Sequence, residues 1–221
     1  LPSNVVEAYV WSRMADLPWD QWPDELASVF SRIPSYLMAD RRDRGEFLRT
    51  FFRRYEGATV EGIERLVEEI VSEFMLQKVS AAAIRRIREH RAAGHRTMMI
   101  TAAAEPFVQP LAPLFDEVIA ARLEVRDGAY TGYLAEPPLV GEARGAWVRR
   151  YAELEGADLK ASYAYADSHS DLALLRAVGN PVAVSPDAAL LRVAKRRRWP
   201  IEEWQMSGGM PRVRFPKAAV R

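Results

Sequence analysis

Apolar residues in the first ninety positions recur every three or four places. Val5, Val6, Tyr9, Val10 and Trp11 do so over residues 4–14, a stretch that stops before Pro18 and is expected to be helical. A second helix is expected over residues 22–38, with Pro23 tolerated in its first turn. Asp43 followed by Glu46 has the spacing of a helix cap. It opens a third helix over 46–55, whose Phe47, Leu48, Phe51 and Phe52 form one apolar side, and Gly57 ends it. Thr59 caps a fourth helix bearing the stripe Ile63, Leu66, Val67, Ile70, Val71 and Phe74, and a fifth over 81–93 stops at Gly94.

The period then changes. Residues 97–100, Thr-Met-Met-Ile, make a short apolar run of the kind that forms a strand buried on both faces. A helix over 106–115 and a strand over 117–120 are expected next. Two further runs, 122–125 and 129–134, flank the hairpin signal Arg126-Asp127-Gly128. Helices over 142–154, 170–178 and 188–197 then alternate with strands over 161–166, 181–184 and 201–204. Such alternation implies an α/β fold, a Rossmann-like parallel sheet with helices on both faces. The expected division is a helical region over 1–78, an α/β core over 79–204 with its β-hairpin near 122–134, and a tail or linker over 205–221. The tail holds four basic residues, no acids and Gly208-Gly209.

Composition narrows the function. A chain of 221 residues, 49% apolar and 28% charged, can bury an ample core. No apolar run reaches the ~18 residues of a membrane-spanning helix, so no integral membrane segment is expected. Zero cysteines exclude disulfides, a thiol nucleophile and thiolate metal sites, and make the cytoplasm the expected location. With 31 Lys and Arg against 30 Asp and Glu, the net charge of +1 argues against a nucleic-acid partner. His90, His95 and His169 lack zinc-ligand spacing. The basic clusters Arg41, Arg42 and Arg44 and Lys195 to Arg198 read as a solvated loop and a helix end, and Trp11, Trp19, Trp22, Phe47, Phe51 and Phe52 read as core. Gly-x-Ser-x-Gly, the Walker loop and Gly-x-Gly-x-x-Gly do not occur, which argues against serine hydrolases, P-loop NTPases and dinucleotide enzymes.

Three elements could carry chemistry. Asp167 ends the strand over 161–166, where open parallel sheets place their ligands, and Asp171 follows four residues on, with Ser168 and His169 between them. The two carboxylates suit a hard, oxygen-rich Mg²⁺ site, and they equally suit a helix cap and its dipole. Thr101 follows Ile100 and precedes Ala102 and Ala103, so its hydroxyl and the neighbouring N–H groups could hold a phosphoryl oxygen or simply cap a helix. Arg144 sits in the first turn of a helix, against the dipole. It is either paired with an anion or solvated on the surface.

In this order the three elements resemble the haloacid dehalogenase superfamily, specifically the phosphoserine-phosphatase-like hydrolases of subfamily IB, which carry an α-helical cap. The family pattern runs Asp-x-Asp-x-Thr, a Ser or Thr ending the second strand, a Lys near Gly-Glu-x-Lys, and Asp-Ser-x-x-x-Asp. Thr101 matches the second motif, Arg144 stands where the third has Lys, and Asp167 with Asp171 match the fourth. The flanking text agrees: Arg91 to Arg96, Arg122 to Val125, Tyr130 to Gly132, and Trp199-Pro200-Ile201.

The resemblance implies a Mg²⁺-dependent phosphatase that hydrolyses a small phosphomonoester through an aspartyl-phosphate, its substrate selected by the cap. Thr101 and Arg144 take the catalytic places, Thr101, Ala102 and Arg144 bind phosphate, Asp167 and Asp171 serve the metal, and Ser168 and His169 border the pocket. The chain contains no Asp-x-Asp-x-Thr, and Leu1-Pro2-Ser3-Asn4 resembles the text that follows that motif. The nucleophile is therefore expected upstream of Leu1, and the 221-residue chain is expected to be inactive. The family's first strand lies in mid-sheet, so without it the neighbouring strands would carry unpaired backbone groups. The alternative is a non-catalytic, degenerate domain of a larger protein, since relatives of this branch occur fused to lipid-modifying domains.

Overall fold

A computed structural model describes residues 6, 9, 10, 17–72, 76 and 79–204. Most of the helix expected over 4–14, Phe74 and the tail over 205–221 lie outside the described residues.

A 3-10 turn at Trp19–Gln21 leads into α1 (Trp22–Arg42), which runs past the expected end at 38 and takes Arg42 into its last turn. It stops because Asp43 turns extended, at φ −153°, and its carboxylate accepts from the N–H groups of Gly45 and Glu46 at 2.8 and 3.1 Å. Those bonds start α2 (Arg44–Phe52) two residues earlier than the sequence pattern suggests, and a 3-10 turn (Arg53–Tyr55) follows. Thr59 caps α3 (Val60–Leu66) through Gly62 N–H, as expected, and the helix widens into a π-helical stretch over Val67–Val71. Ser80 caps α4 (Ala81–Ala92).

Phe47, Leu48, Phe51 and Phe52 are fully buried, each worth about 1.5 to 3 kcal/mol of apolar transfer. Tyr9 meets Phe51 and Tyr55 edge-on at 5.6 and 5.3 Å. Arg54 ties the helices together. Its guanidinium donates to the Tyr36 hydroxyl at 2.9 Å and the Ser28 carbonyl at 3.3 Å, and pairs with Glu25 at 3.3 Å.

β1 (Met98–Ala104) extends three residues beyond Thr101, so Thr101 lies within the strand rather than at its end. The helix expected over 106–115 divides into a short α5 (Glu105–Val108) and a 3-10 segment (Gln109–Leu114), because Pro110 and Pro113 lack the N–H that an α-helix needs. β2 (Glu117–Ala121) pairs parallel with β1. β3 (Leu123–Arg126) and β4 (Ala129–Leu134) form the expected antiparallel hairpin. Its two linking residues, Asp127 and Gly128, have φ of 50° and 77°, matching the right-handed twist of the strands. The hairpin docks on the helical region: Gly57 N–H donates to Tyr130 O at 2.9 Å and Tyr130 N–H to Ala58 O at 2.8 Å. One apolar cluster therefore runs from Phe52 and Tyr55 through Leu123 and Tyr130 to Phe107.

α6 (Gly141–Glu155) leads to β5 (Tyr163–Ala166), then come α7 (Leu172–Ala177), β6 (Asn180–Val184), α8 (Ala188–Arg197) and β7 (Ile201–Glu202). β5, β6 and β7 make a second parallel ladder over a second core of Ala164, Leu175, Ala183, Leu190 and Ala194. Among the described residues β1 pairs with β2 alone and β5 with β6 alone, so the parallel strands form two ladders. Met98, Met99 and Ile100, expected to be buried on both faces, are half-buried for that reason.

Candidate active site

Asp167 follows the last residue of β5 and is exposed. Ser168 turns the backbone: its Oγ accepts from Ser170 N–H at 3.3 Å and from the Ser170 hydroxyl at 3.1 Å, and a 3-10 turn spans His169–Asp171. Asp171 is the N-cap residue of α7, yet its carboxylate makes no capping bond. It turns instead to Arg144, whose Nη1 donates to Asp171 Oδ1.

That contact decides between the two readings the sequence left for Arg144. Arg144 is no surface cation, since its side chain is 9% exposed and that of Asp171 13%. Its Nε donates to the Leu139 carbonyl at 3.0 Å, which fixes the plane of the guanidinium. Burial pushes Asp171 above the ordinary carboxyl range; Arg144 pulls it back, and the Asp167 charge adds to the push. Burial likewise presses Arg144 down, against the pull of Asp171.

Close packing brings the pair together. A side chain at Gly145 would place its Cβ 2.8 Å from Ala173 O, so only glycine lets α6 lie this near α7. From the other side comes Arg44, the first residue of α2, whose charge acts on both Arg144 and Asp171. The sequence reading took Arg44 for a solvated loop residue. Chain pattern alone could not show that Gly45 would face Pro138, on the same loop as Leu139.

Thr101 is not joined to this group by a hydrogen bond among the described residues; its Oγ1 accepts from Ala103 N–H at 3.1 Å, beside the buried Ala102. His169 is exposed, and its backbone N–H donates to Asp187 Oδ2 at 2.8 Å. Asp187, the residue before α8, was missed in the sequence. Among the described residues no three or more His, Asp or Glu side chains gather into a metal nest. The donors in place for a cation are Asp167 and the part of Asp171 not engaged by Arg144, an all-oxygen set that fits Mg²⁺ better than a softer metal.

A family model of haloacid dehalogenase-like hydrolases matches residues 3–176. The inhibition of morphological differentiation protein of Streptomyces azureus is 36% identical over 151 residues, 66% of this chain and 53% of that protein. A phosphoserine phosphatase of Mycobacterium tuberculosis is 32% identical over 165 residues, covering 74% of this chain and 54% of its own length. The chain thus spans about half the length of such relatives. A solved structure of a protein of unknown function from Bordetella pertussis Tohama I superposes with a TM-score of 0.76, at 24% identity, over 90% of this chain and 91% of that one. No helix among the described residues is long and apolar enough to cross a membrane. The fold, the family match and the relatives agree: the chain belongs to the haloacid dehalogenase-like hydrolases.

Proposed function

We propose that the chain forms the phosphate-binding and cation-holding part of a Mg²⁺-dependent phosphatase of small phosphomonoesters. The observation that carries this reading is the buried Arg144–Asp171 pair set beside the exposed Asp167 at the carboxyl end of a parallel strand. Asp167 holds the cation, with Asp171 completing the acidic pair and orienting Arg144. Mg²⁺, when bound, supplies positive charge against the phosphoryl oxygens. Arg144, itself buried and held by Asp171 and the Leu139 carbonyl, keeps a positive charge beside Asp167, where it favours the build-up of negative charge. The Thr101 hydroxyl and the Ala102 N–H are the donors for a nonbridging oxygen.

The resemblance implies a nucleophile carried by an Asp-x-Asp-x-Thr motif, which these 221 residues do not contain. On this reading a carboxylate supplied from before Leu1 attacks phosphorus as the ester oxygen leaves and is protonated; water then cleaves the acyl phosphate and releases phosphate. The helices before residue 78 act as the cap, and Arg44 presents a cation from it to the substrate.

Turnover of para-nitrophenyl phosphate in Mg²⁺ tests the reading. The 221-residue chain is expected to be silent, and a chain extended upstream to include the motif is expected to turn over and to lose activity with Asp167→Ala. Turnover by the unextended chain that Asp167→Ala abolishes would overturn the placement of the nucleophile. An extended chain with an intact motif and no turnover on any small phosphomonoester would leave a non-catalytic domain.

A further inference from the structure

The carboxylate of Asp187, on the loop between β6 and α8, uses its two oxygens on two different elements. Oδ1 accepts from Ala189 N–H at 3.0 Å and Leu190 N–H at 2.8 Å, closing the first turn of α8. Oδ2 accepts from His169 N–H at 2.8 Å, and the Ser168 side chain adds a further hydrogen bond. The Asp187 N–H in turn donates to the Asp167 carbonyl at 2.8 Å. Capping alone needs one oxygen, which Ser, Thr or Asn would supply equally well. The second oxygen and the backbone N–H both go to the segment that carries Asp167.

We propose that Asp187 is a positioning residue, holding the backbone of residues 167–169 so that the Asp167 carboxylate is fixed relative to the Arg144–Asp171 pair. The proposal rests on the reading of Asp167 as the cation-holding carboxylate. β5 ends at Ala166, whose sheet partner is Ala183. Past that point the described contacts of residues 167–169 with β6 and its loop run through Asp187. Burial would push the Asp187 carboxyl up, but the N–H groups of Leu190, His169 and Ala189 and the Ser168 hydroxyl together hold it below the ordinary carboxyl value.

Two variants separate capping from positioning. Asp187→Ser keeps a good cap for α8 but does not reach His169, and Asp187→Asn keeps the cap while its amide cannot accept on both sides. In the 221-residue chain, amide exchange of Ala189 and Leu190 is expected to stay at the wild-type rate in both variants, while that of His169 rises about tenfold or more. A Mg²⁺ titration followed by the amide resonances of residues 167–171 is expected to give a midpoint several-fold higher in both variants than in the wild type. Unchanged exchange at His169, or a faster exchange with an unchanged Mg²⁺ midpoint, would overturn the positioning role. A wild-type chain whose residues 167–171 do not respond to Mg²⁺ would overturn the reading of Asp167 itself, and the positioning role with it.

Discussion

Arg144 and Asp171 show what a buried ion pair does and does not contribute. Each has left water, and each is tolerable because the other is there. Removing one partner leaves a charge stranded, so Asp171→Ala is expected to lower unfolding free energy by about 3 to 5 kcal/mol in urea titrations. The double variant Arg144→Met, Asp171→Leu should recover most of that loss, since similar volume without charge needs no compensation. A different residue-scale effect comes from His90. Its Nδ1 lies 2.9 Å from His95 Nδ1, its Nε2 shares a 2.8 Å hydrogen bond with the Tyr165 hydroxyl, and Tyr163 packs against both imidazoles. Burial pushes Tyr165 up to about 12, so the phenol keeps its proton. Burial, then the charges of His95 and Arg86, lower the His90 pKa from its ordinary value, and Glu89 only partly opposes them. The folded chain thus binds this proton less readily than the unfolded one. Stability is expected to be full above about pH 6.5 and to fall as pH drops below it, with the urea midpoint of His90→Gln changing less over the same range.

At the scale of elements, Gly145 sets how close α6 and α7 can lie. Gly145→Ala must move the Ala173 carbonyl or the helix, at a cost of about 1 to 3 kcal/mol, and should weaken the Arg144–Asp171 contact. Thermal unfolding reads the first effect. The second appears as a smaller further loss when Asp171→Ala is added to Gly145→Ala than when it is made alone. What the chain pattern could convey divides along the same line. Caps at Asp43 and Thr59, the Asp127-Gly128 turn and the strand-helix alternation are encoded within a few residues, so they could be read directly. The break in the helix expected over 106–115 was legible in Pro110 and Pro113, whose missing N–H groups the expectation left out of account. Contacts between distant segments left no local mark. The Arg44 charge near Arg144, the second oxygen of Asp187 and the choice by Asp171 of Arg144 over its own helix all depend on packing that only the folded chain displays.

For the molecule as a whole, the question is what joins its two parallel ladders. β1 and β5 each have one partner among the described residues, and each ladder has its own neighbouring apolar cluster. His95, three residues before β1, stacks on Tyr163 at the start of β5 with ring centroids 6.0 Å apart, so the two strands begin near one another without pairing. Buried backbone N–H and C=O groups that lack partners are costly, about 1 to 3 kcal/mol each. On the function proposed above, the strand bearing the nucleophile runs between β1 and β5 and answers both edges. The amides of Met98 to Ile100 and of Tyr163 to Tyr165 that do not serve the existing ladders are then expected to exchange quickly in the 221-residue chain. They should become protected in a chain extended upstream, with unfolding made more cooperative because one sheet replaces two. Replacing both aspartates of the added motif by asparagine should keep that protection while abolishing turnover, separating the strand's structural part from its chemical one. If the extension leaves exchange at Met98 to Ile100 unchanged, the added segment does not occupy the place between β1 and β5, and the sheet argument for its position fails.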